Sequence, residues 1–464
     1  KKAPQNRTSV ESHYGISPTF FTEADKIMKI FKTTEYNIDA SGIVDVTKEL
    51  QYLIDLTAEE NGMLILEKGT YLTSSLFLKS NMEFHFEEGA RLLASIHDEA
   101  YPMMDTRVAG IEMKWYPGFV NVRGQKNVTI SGKGVIDGQG EHWWAKYWGD
   151  DRKSGLRGIY EPYGLRWASD YDAVRLRNIV ISDSENVTLK DITSFKSGFW
   201  NIHVYYSGNI HIDHVQVICG SINGPSTDGI DIDSCHDVLI ENCETHTHDD
   251  SICIKSGRDS DGLRVNIPCE RITVRNCKIY EGYGVTLGSE VSGGISDVVL
   301  ENISFYGTDC GFRIKSAYPR KGYIRNIKVQ DLYMQNVRFP VHIQLNWNVN
   351  YNVCTIGENY HGEIPEHWKT IMDPVSDSIP PTELKNLCIQ NITAELTADY
   401  DKISQAFVID GYAQDPIKDI TMNHLKITCN EYGMIRNIAK LSMNDVNIKV
   451  TGGSQEERDT YDNT

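Results

Sequence analysis

Short apolar strands recur along this chain in one direction, separated by polar turn residues. From residue 120 the unit reads NVTISGKGVIDG, NVTLKDITSF, NIHIDHVQVI, DVLIENCETH, RITVRNCKIY, DVVLENISFY and NIKVQDLYMQ; it returns as NLCIQNITAE, DITMNHLKIT and DVNIKV. Several strands start about 23 to 34 residues after the one before. Two longer steps, Val128 to Val187 and Ile327 to Leu387, are expected to hold an irregular or missed turn plus loops. Antiparallel sheets would show hairpin turns between alternating segments. Similar segments repeated in the same chain direction instead predict an all-β solenoid, a right-handed parallel β-helix. Asn-Val-Thr and Asn-Ile-Thr resemble glycan acceptors, but their repeated place at strand starts points to a role in turns.

Ahead of the repeat, Val46, Leu50, Leu53, Ile54 and Leu56 form a helical stripe. Asp45 or Thr47 could cap its start and Gly62 could end it. A helix over about 46–60 would cover the open end of the solenoid core, as terminal units of such structures require. The expected organisation is an N-terminal extension over 1–35 and one β-helix domain over 36–464. Two stretches depart from the repeat. Residues 138–170 carry Trp143, Trp144, Tyr147 and Trp148 and read as a long loop packed on the flank. Residues 351–382, with Tyr360, His361, His367 and Trp368, read as another wall.

Composition narrows the function. A net charge of -18 argues against nonspecific nucleic-acid binding, though a local cluster of Arg and Lys can still receive an acidic substrate. No run approaches the ~20 apolar residues of a membrane span. The polar start KKAPQN shows no signal peptide. Ten Cys without paired C-x-x-C spacing read as buried thiols rather than a disulfide scaffold or a zinc site. No cofactor or metal is expected.

The candidate chemistry lies at four places in the repeat: Ser226-Thr227-Asp228, Asp249-Asp250, Gly282-Tyr283-Gly284 and Arg313-Ile314-Lys315. Adjacent strands lie ~4.8 Å apart, so positions one turn apart can meet in a groove. Parity places Ile230, Ile232, Ile252, Ile254 and Ile314 inward, and Asp231, Asp233, Lys255, Arg313 and Lys315 outward. Two consecutive residues of a regular strand face opposite ways, so the chain must bend at Asp249-Asp250 for both to serve. Three carboxylates beside basic side chains suit acid/base cleavage of an anionic sugar. Lys255 and Arg258 would add positive charge, and Trp143 and Trp144 could stack on sugar faces.

This ordered set resembles the polygalacturonase family of pectin-cleaving glycoside hydrolases, family 28, over roughly residues 36–345. The family's Asn-Thr-Asp matches Ser226–Asp228, its Asp-Asp matches Asp249-Asp250 and its Arg-Ile-Lys matches Arg313–Lys315. The resemblance implies a right-handed parallel β-helix and inversion of the anomeric centre. Asp249 would be the general acid, Asp228 and Asp250 the water-side carboxylates, and Arg313 and Lys315 the holders of the galacturonate. IDGQGEHWW and VTLGSEVSGG favour the exo-acting bacterial branch, releasing terminal galacturonic acid from pectic chains in the periplasm or outside the cell. A rhamnogalacturonan hydrolase or α-rhamnosidase is the enzymatic alternative, and a carbohydrate-binding β-helix the non-enzymatic one. Ser226 stands where the family has Asn, and Tyr283 where it has His. Tyr, with an ordinary pKa near 10, cannot replace His in proton chemistry near pH 6, so Tyr283 is expected to tune sugar recognition. Oligomeric state is left open.

Overall fold

The computed structural model describes residues 28–452, which form a right-handed parallel β-helix. Its strands make two long parallel ladders of 21 and 11 strands, with a separate antiparallel hairpin of Met104–Val108 and Ile111–Trp115. The turn that follows residue 229 shows the plan. Ile230–Asp233 joins the eleven-stranded ladder, and His236–Glu241 and Glu244–His246 join the larger one. The next turn stacks in register, with Ile230 on Ile252 and Val238 on Ile272. Inward positions line up as aliphatic stacks such as Ile202, Ile230, Ile252, Val285 and Phe312, all buried.

The turns explain the recurring Asn. Asn127 and Asn186 open their segments at φ 55° and 57°, in the left-handed region that Asn tolerates better than most residues. Their side chains bond along the axis: Asn186 donates to Asn127 and Asn127 to Asn81, each at 2.7 Å. The Asn-x-Thr segments thus carry turns, as their spacing suggests.

The capping helix runs over Thr47–Glu59 and buries Leu50, Leu53 and Ile54. Its N-cap residue is Val46, and the Asp45 carboxylate accepts from the Thr47 amide at 2.9 Å. The solenoid starts before residue 36. Ile30–Lys32 pairs with Met63–Leu66, so the helix lies between strands of the first turns instead of preceding them. The rest of the extension expected over 1–35 lies mostly outside the described residues.

Neither long step conceals a missed turn. Val128 pairs directly with Val187, and Ile327 with Leu387. The extra residues leave the solenoid entirely. The first excursion is more ordered than a loop: it contains helices Gly140–Trp148, Leu156–Tyr160 and Arg166–Asp172. The second holds Val349–Asn352 and Glu366–Met372. All ten cysteines are free thiols. No helix among the described residues is long and apolar enough to cross a membrane.

Candidate active site

The outward face of the eleven-stranded ladder forms the floor of the site. Parallel pairing sets Asp231 beside Cys253, then Thr286, Arg313 and His342, in one row across consecutive turns. Two residues further along each strand, Tyr205, Asp233 and Lys255 form a second row. Asp228 and Asp250 stand just before two of these strands, and the Gly229 amide donates to the Asp250 carbonyl at 2.9 Å. The chain bends at His248 and Asp249 before the strand Ile252–Lys255 begins. That bend lets both carboxyls of the Asp-Asp pair turn toward one site.

Asp250 is fully buried and surrounded by donors. Lys315 Nζ lies 2.7 Å from its Oδ2 and Arg313 Nη1 3.4 Å from its Oδ1, while the Thr286 hydroxyl donates to Oδ1 at 2.8 Å. Burial alone would push this carboxyl up; Lys315, Arg313 and Lys255 overcome it and hold it well below the carboxylate range. Asp249 is half-buried, and burial together with the charge on Asp250 pushes its carboxyl up. Asp228 is pushed well up by burial, then by Asp249 and Asp231. The site therefore separates its acids, one held down and its neighbours pushed up, a division that acid/base chemistry exploits.

Asp231 is the residue that sequence reasoning missed. Its carboxyl is fully buried with both oxygens lacking a hydrogen bond, and it lies 3.7 Å from Lys255 Nζ. Its outward parity beside Asp228 is the clue the sequence offered. Lys255 does not line an open groove as expected. It is buried and stands 3.7 Å from Asp228, 3.7 Å from Asp231 and 3.2 Å from Glu290, with its ammonium over the Trp200 ring. One ammonium and three carboxyl groups are packed together out of water, so Lys255 positions the acids and has no exposed face for a sugar.

Three other expected contacts are also corrected. Arg258 is fully buried; it pairs with Asp259 and donates to the Tyr171 hydroxyl at 2.8 Å, fastening the first excursion to the solenoid. Trp143 packs edge-on against Tyr101 and donates to the Gly138 carbonyl. Trp144 donates to the Ser197 carbonyl. Both rings are buried, because an indole on an excursion that folds back onto a flank satisfies its N–H there and leaves no face for sugar.

Tyr283 lies where the expectation put it. Its amide donates to the Asp249 carbonyl at 3.1 Å, and Arg313 sits 5.0 Å over its ring. The flanking glycines are required: both have φ 71°, and a Cβ on Gly282 would meet Thr247 Oγ1 at 2.4 Å and the Asp249 carbonyl at 2.6 Å. Arg313 and Lys315 are both engaged with Asp250 and both pack on Trp347, at 5.5 and 4.7 Å. Asp228, Asp250 and Cys253 bring ligating atoms within 4.8 Å of one another. The Lys315 ammonium already supplies positive charge to Asp250 at that point.

The two excursions meet each other beside the solenoid. Asp172 accepts from Tyr160 at 2.6 Å and from Trp368 at 3.1 Å, and its Oδ1 lies 2.5 Å from His367 Nε2. Trp167 donates to the Thr355 carbonyl, and the Trp167 and Trp368 rings lie 5.3 Å apart. Ser226, at φ 52°, donates to Asp170 at 2.7 Å and so ties the segment carrying Asp228 to the first excursion.

The chain is similar to known proteins in sequence and in fold. Residues 168–360, which span the site, match the family described as Glycosyl hydrolases family 28. A probable polygalacturonase from Vitis vinifera is 28% identical over 362 residues, covering 75% of this chain and 69% of that protein. An endo-polygalacturonase from Pectobacterium carotovorum subsp. carotovorum is 24% identical, covering 79% of this chain and 80% of its own. Some relatives are longer: the chain spans 56% of a polygalacturonase from Prunus persica. Among solved structures, a hyperthermoactive exopolygalacturonase from Thermotoga maritima superposes with a TM-score of 0.73 at 26% identity, covering 91% of this chain and 92% of that one. The fold and the site define a glycoside hydrolase built on a parallel β-helix. Over residues 168–360 the chain is similar to the glycosyl hydrolases of family 28, and its relatives include polygalacturonases.

Proposed function

We propose that this enzyme hydrolyses pectic galacturonan from a chain end, releasing terminal galacturonic acid with inversion. The observation that carries the chemistry is the different setting of the two neighbours: Lys315 at 2.7 Å and Arg313 at 3.4 Å hold the Asp250 carboxyl down, while burial and Asp250 push that of Asp249 up. Asp249 gives its proton to the glycosidic oxygen as the bond to the anomeric carbon breaks. Water attacks that carbon from the opposite face. Asp250, with Asp228 beside it, orients the water and takes its proton. Inverting enzymes leave ~6.5–9.5 Å between acid and base for this water. Arg313 and Lys315, paired with Asp250 and each with 8% of its side chain exposed, offer cationic groups to a sugar carboxylate, and the Tyr283 ring packs against Arg313. A polymer of this kind is met in the periplasm or outside the cell, where we place the enzyme.

Exo action is supported by the joined excursions: the first is tied to the Asp228 segment through Ser226 and Asp170, and Trp167 and Trp368 join it to the second, so that together they form a wall beside the site. A groove walled at one end admits a chain terminus and excludes a chain interior. Products from defined galacturonate oligomers test the reading. Single galacturonic acid units from the first minutes, with the first-formed anomer inverted by NMR, are expected. Early release of longer fragments would reject exo action, and a retained anomer would reject single displacement.

A further inference from the structure

Arg166 is a cation that the chemistry above leaves unused. It opens the helix Arg166–Asp172 of the first excursion, and its side chain is 44% exposed. Its guanidinium makes no hydrogen bond among the described residues, and Nη1 is a buried donor without a partner. Its nearest carboxylate oxygen, Asp170 Oδ2, is 3.9 Å away, beyond hydrogen-bond reach. Asp170 is already committed through Oδ1 to Ser226 at 2.7 Å and to Arg175 at 3.1 Å. The plane of Arg166 is held from below by Tyr351, whose ring centre lies 4.9 Å away.

The surroundings place this free fork beside the acid. Burial works against the charge on Arg166, and Tyr147, Asp170, Tyr351 and Asp249 counter it, so Asp249 lies within electrostatic reach. Arg313 also feels Asp249. The Tyr351 ring under Arg166 is 6.1 Å from Trp347, and Trp347 carries Arg313 and Lys315. A continuous aromatic strip thus links two cationic groups, both near Asp249. One belongs to the solenoid floor and the other to the wall.

We infer that Arg166 binds the carboxylate of the terminal uronic acid, the sugar that abuts the wall, and so makes the enzyme select a uronate at the chain end. The inference rests on the reading of an exo-acting galacturonidase. A glycosidic bond between two uronates has a carboxylate on each side of the scissile oxygen. Arg313 and Lys315 meet one and Arg166 the other. A planar fork with open donors is suited to a carboxylate in two-point contact, and a neutral sugar at that place would leave it unpaired.

The test uses the whole enzyme with digalacturonate and with its analogue methyl-esterified on the terminal sugar. Arg166→Gln should lower kcat/KM on digalacturonate about tenfold or more, mostly through KM, and leave the ester nearly unaffected, so that discrimination between the two collapses. Arg166→Lys should recover part of the loss. Unchanged discrimination in a folded Arg166→Gln that still hydrolyses digalacturonate overturns the inference while the parent reading stands. Calorimetry with galacturonate on Asp249→Asn separates the two in the other direction. Binding that falls with Arg166→Gln, in a protein whose wild type releases no galacturonate, keeps the Arg166 assignment and rejects the hydrolytic reading. Binding that does not fall rejects the assignment whatever the wild type cleaves.

Discussion

The two ladders of the solenoid share one alternation and meet opposite fates. On the larger ladder, Val238 and Ile240 point into the core and Glu241 points out, where it bonds His211 and Arg275 at a half-exposed surface. On the eleven-stranded ladder, Ile230 and Ile232 point in while Asp231 and Asp233 point out, yet both acids are fully buried. The difference is the cover. Arg107 of the hairpin lies on Asp233, bonding its two carboxylate oxygens at 2.7 and 3.0 Å, and the two excursions roof the neighbouring turns. A charge on the open ladder is screened by water and contributes little. The same charge under a roof must be matched by a partner, and its pKa moves. The candidate site lies on this solenoid where polar outward positions are enclosed.

The largest contrast should be catalytic. Asp249→Asn is expected to keep the fold and lower turnover at least ~100-fold. Glu241→Gln, a carboxylate of the open ladder, should leave turnover within twofold of wild type, roughly the noise of such a measurement. Steady-state rates on a galacturonate oligomer read both. Equal losses would remove the distinction between the faces.

Stability should separate the faces next. Lys255→Met strands Asp228, Asp231 and Glu290 without their shared cation, and breaking such a buried set costs about 3–5 kcal/mol. Lys278→Ala, which loses only an exposed pair with Glu244, should leave the urea midpoint where it is. A Lys255 variant as stable as wild type would mean that the buried acids are protonated and need no cation.

A pH series sharpens the same point. Burial raises Glu290, but Lys255, Arg320 and Arg258 bring it down to about 2. Its folded value lies below the unfolded one of about 4.3, so its contribution is complete above that value and is lost as the pH falls toward 2. Urea midpoints should drop over this window in wild type and less steeply in Glu290→Gln. An identical slope in the two proteins would exclude Glu290 as a source.

The smallest effect is expected at Tyr283. Tyr283→Phe keeps the ring over Arg313 and removes only the hydroxyl. A lost substrate hydrogen bond would cost about 0.5–1.5 kcal/mol in kcat/KM and alter preference among galacturonides. Unchanged kcat/KM for every cleavable substrate would leave ring packing on Arg313 as its whole contribution.

Local patterns were enough to read the solenoid, the capping helix and the turn role of Asn, because alternation, helical period and left-handed turns are properties of a few neighbouring residues. Repeat spacing put Asp228, Asp249, Asp250, Tyr283, Arg313 and Lys315 on about four consecutive turns, since a fixed rise per turn converts sequence spacing into distance. Burial was not legible in that way. Lys255, Arg258, Trp143 and Trp144 have the composition of surface contacts and became interior ones once the excursions folded back. Asp231 carried an ordinary outward parity and acquired its strained environment from Lys255 on the next turn and from the roof above. Nor could sequence show that the excursions join through Asp172 and the Trp167–Trp368 contact, residues about two hundred positions apart. The sequence by itself determined which side chains face outward on each turn. Only the tertiary structure decided which of those faces lost its water, and solvent exclusion is what separates the pKa values of like carboxylates and gives a lone arginine a ligand to seek.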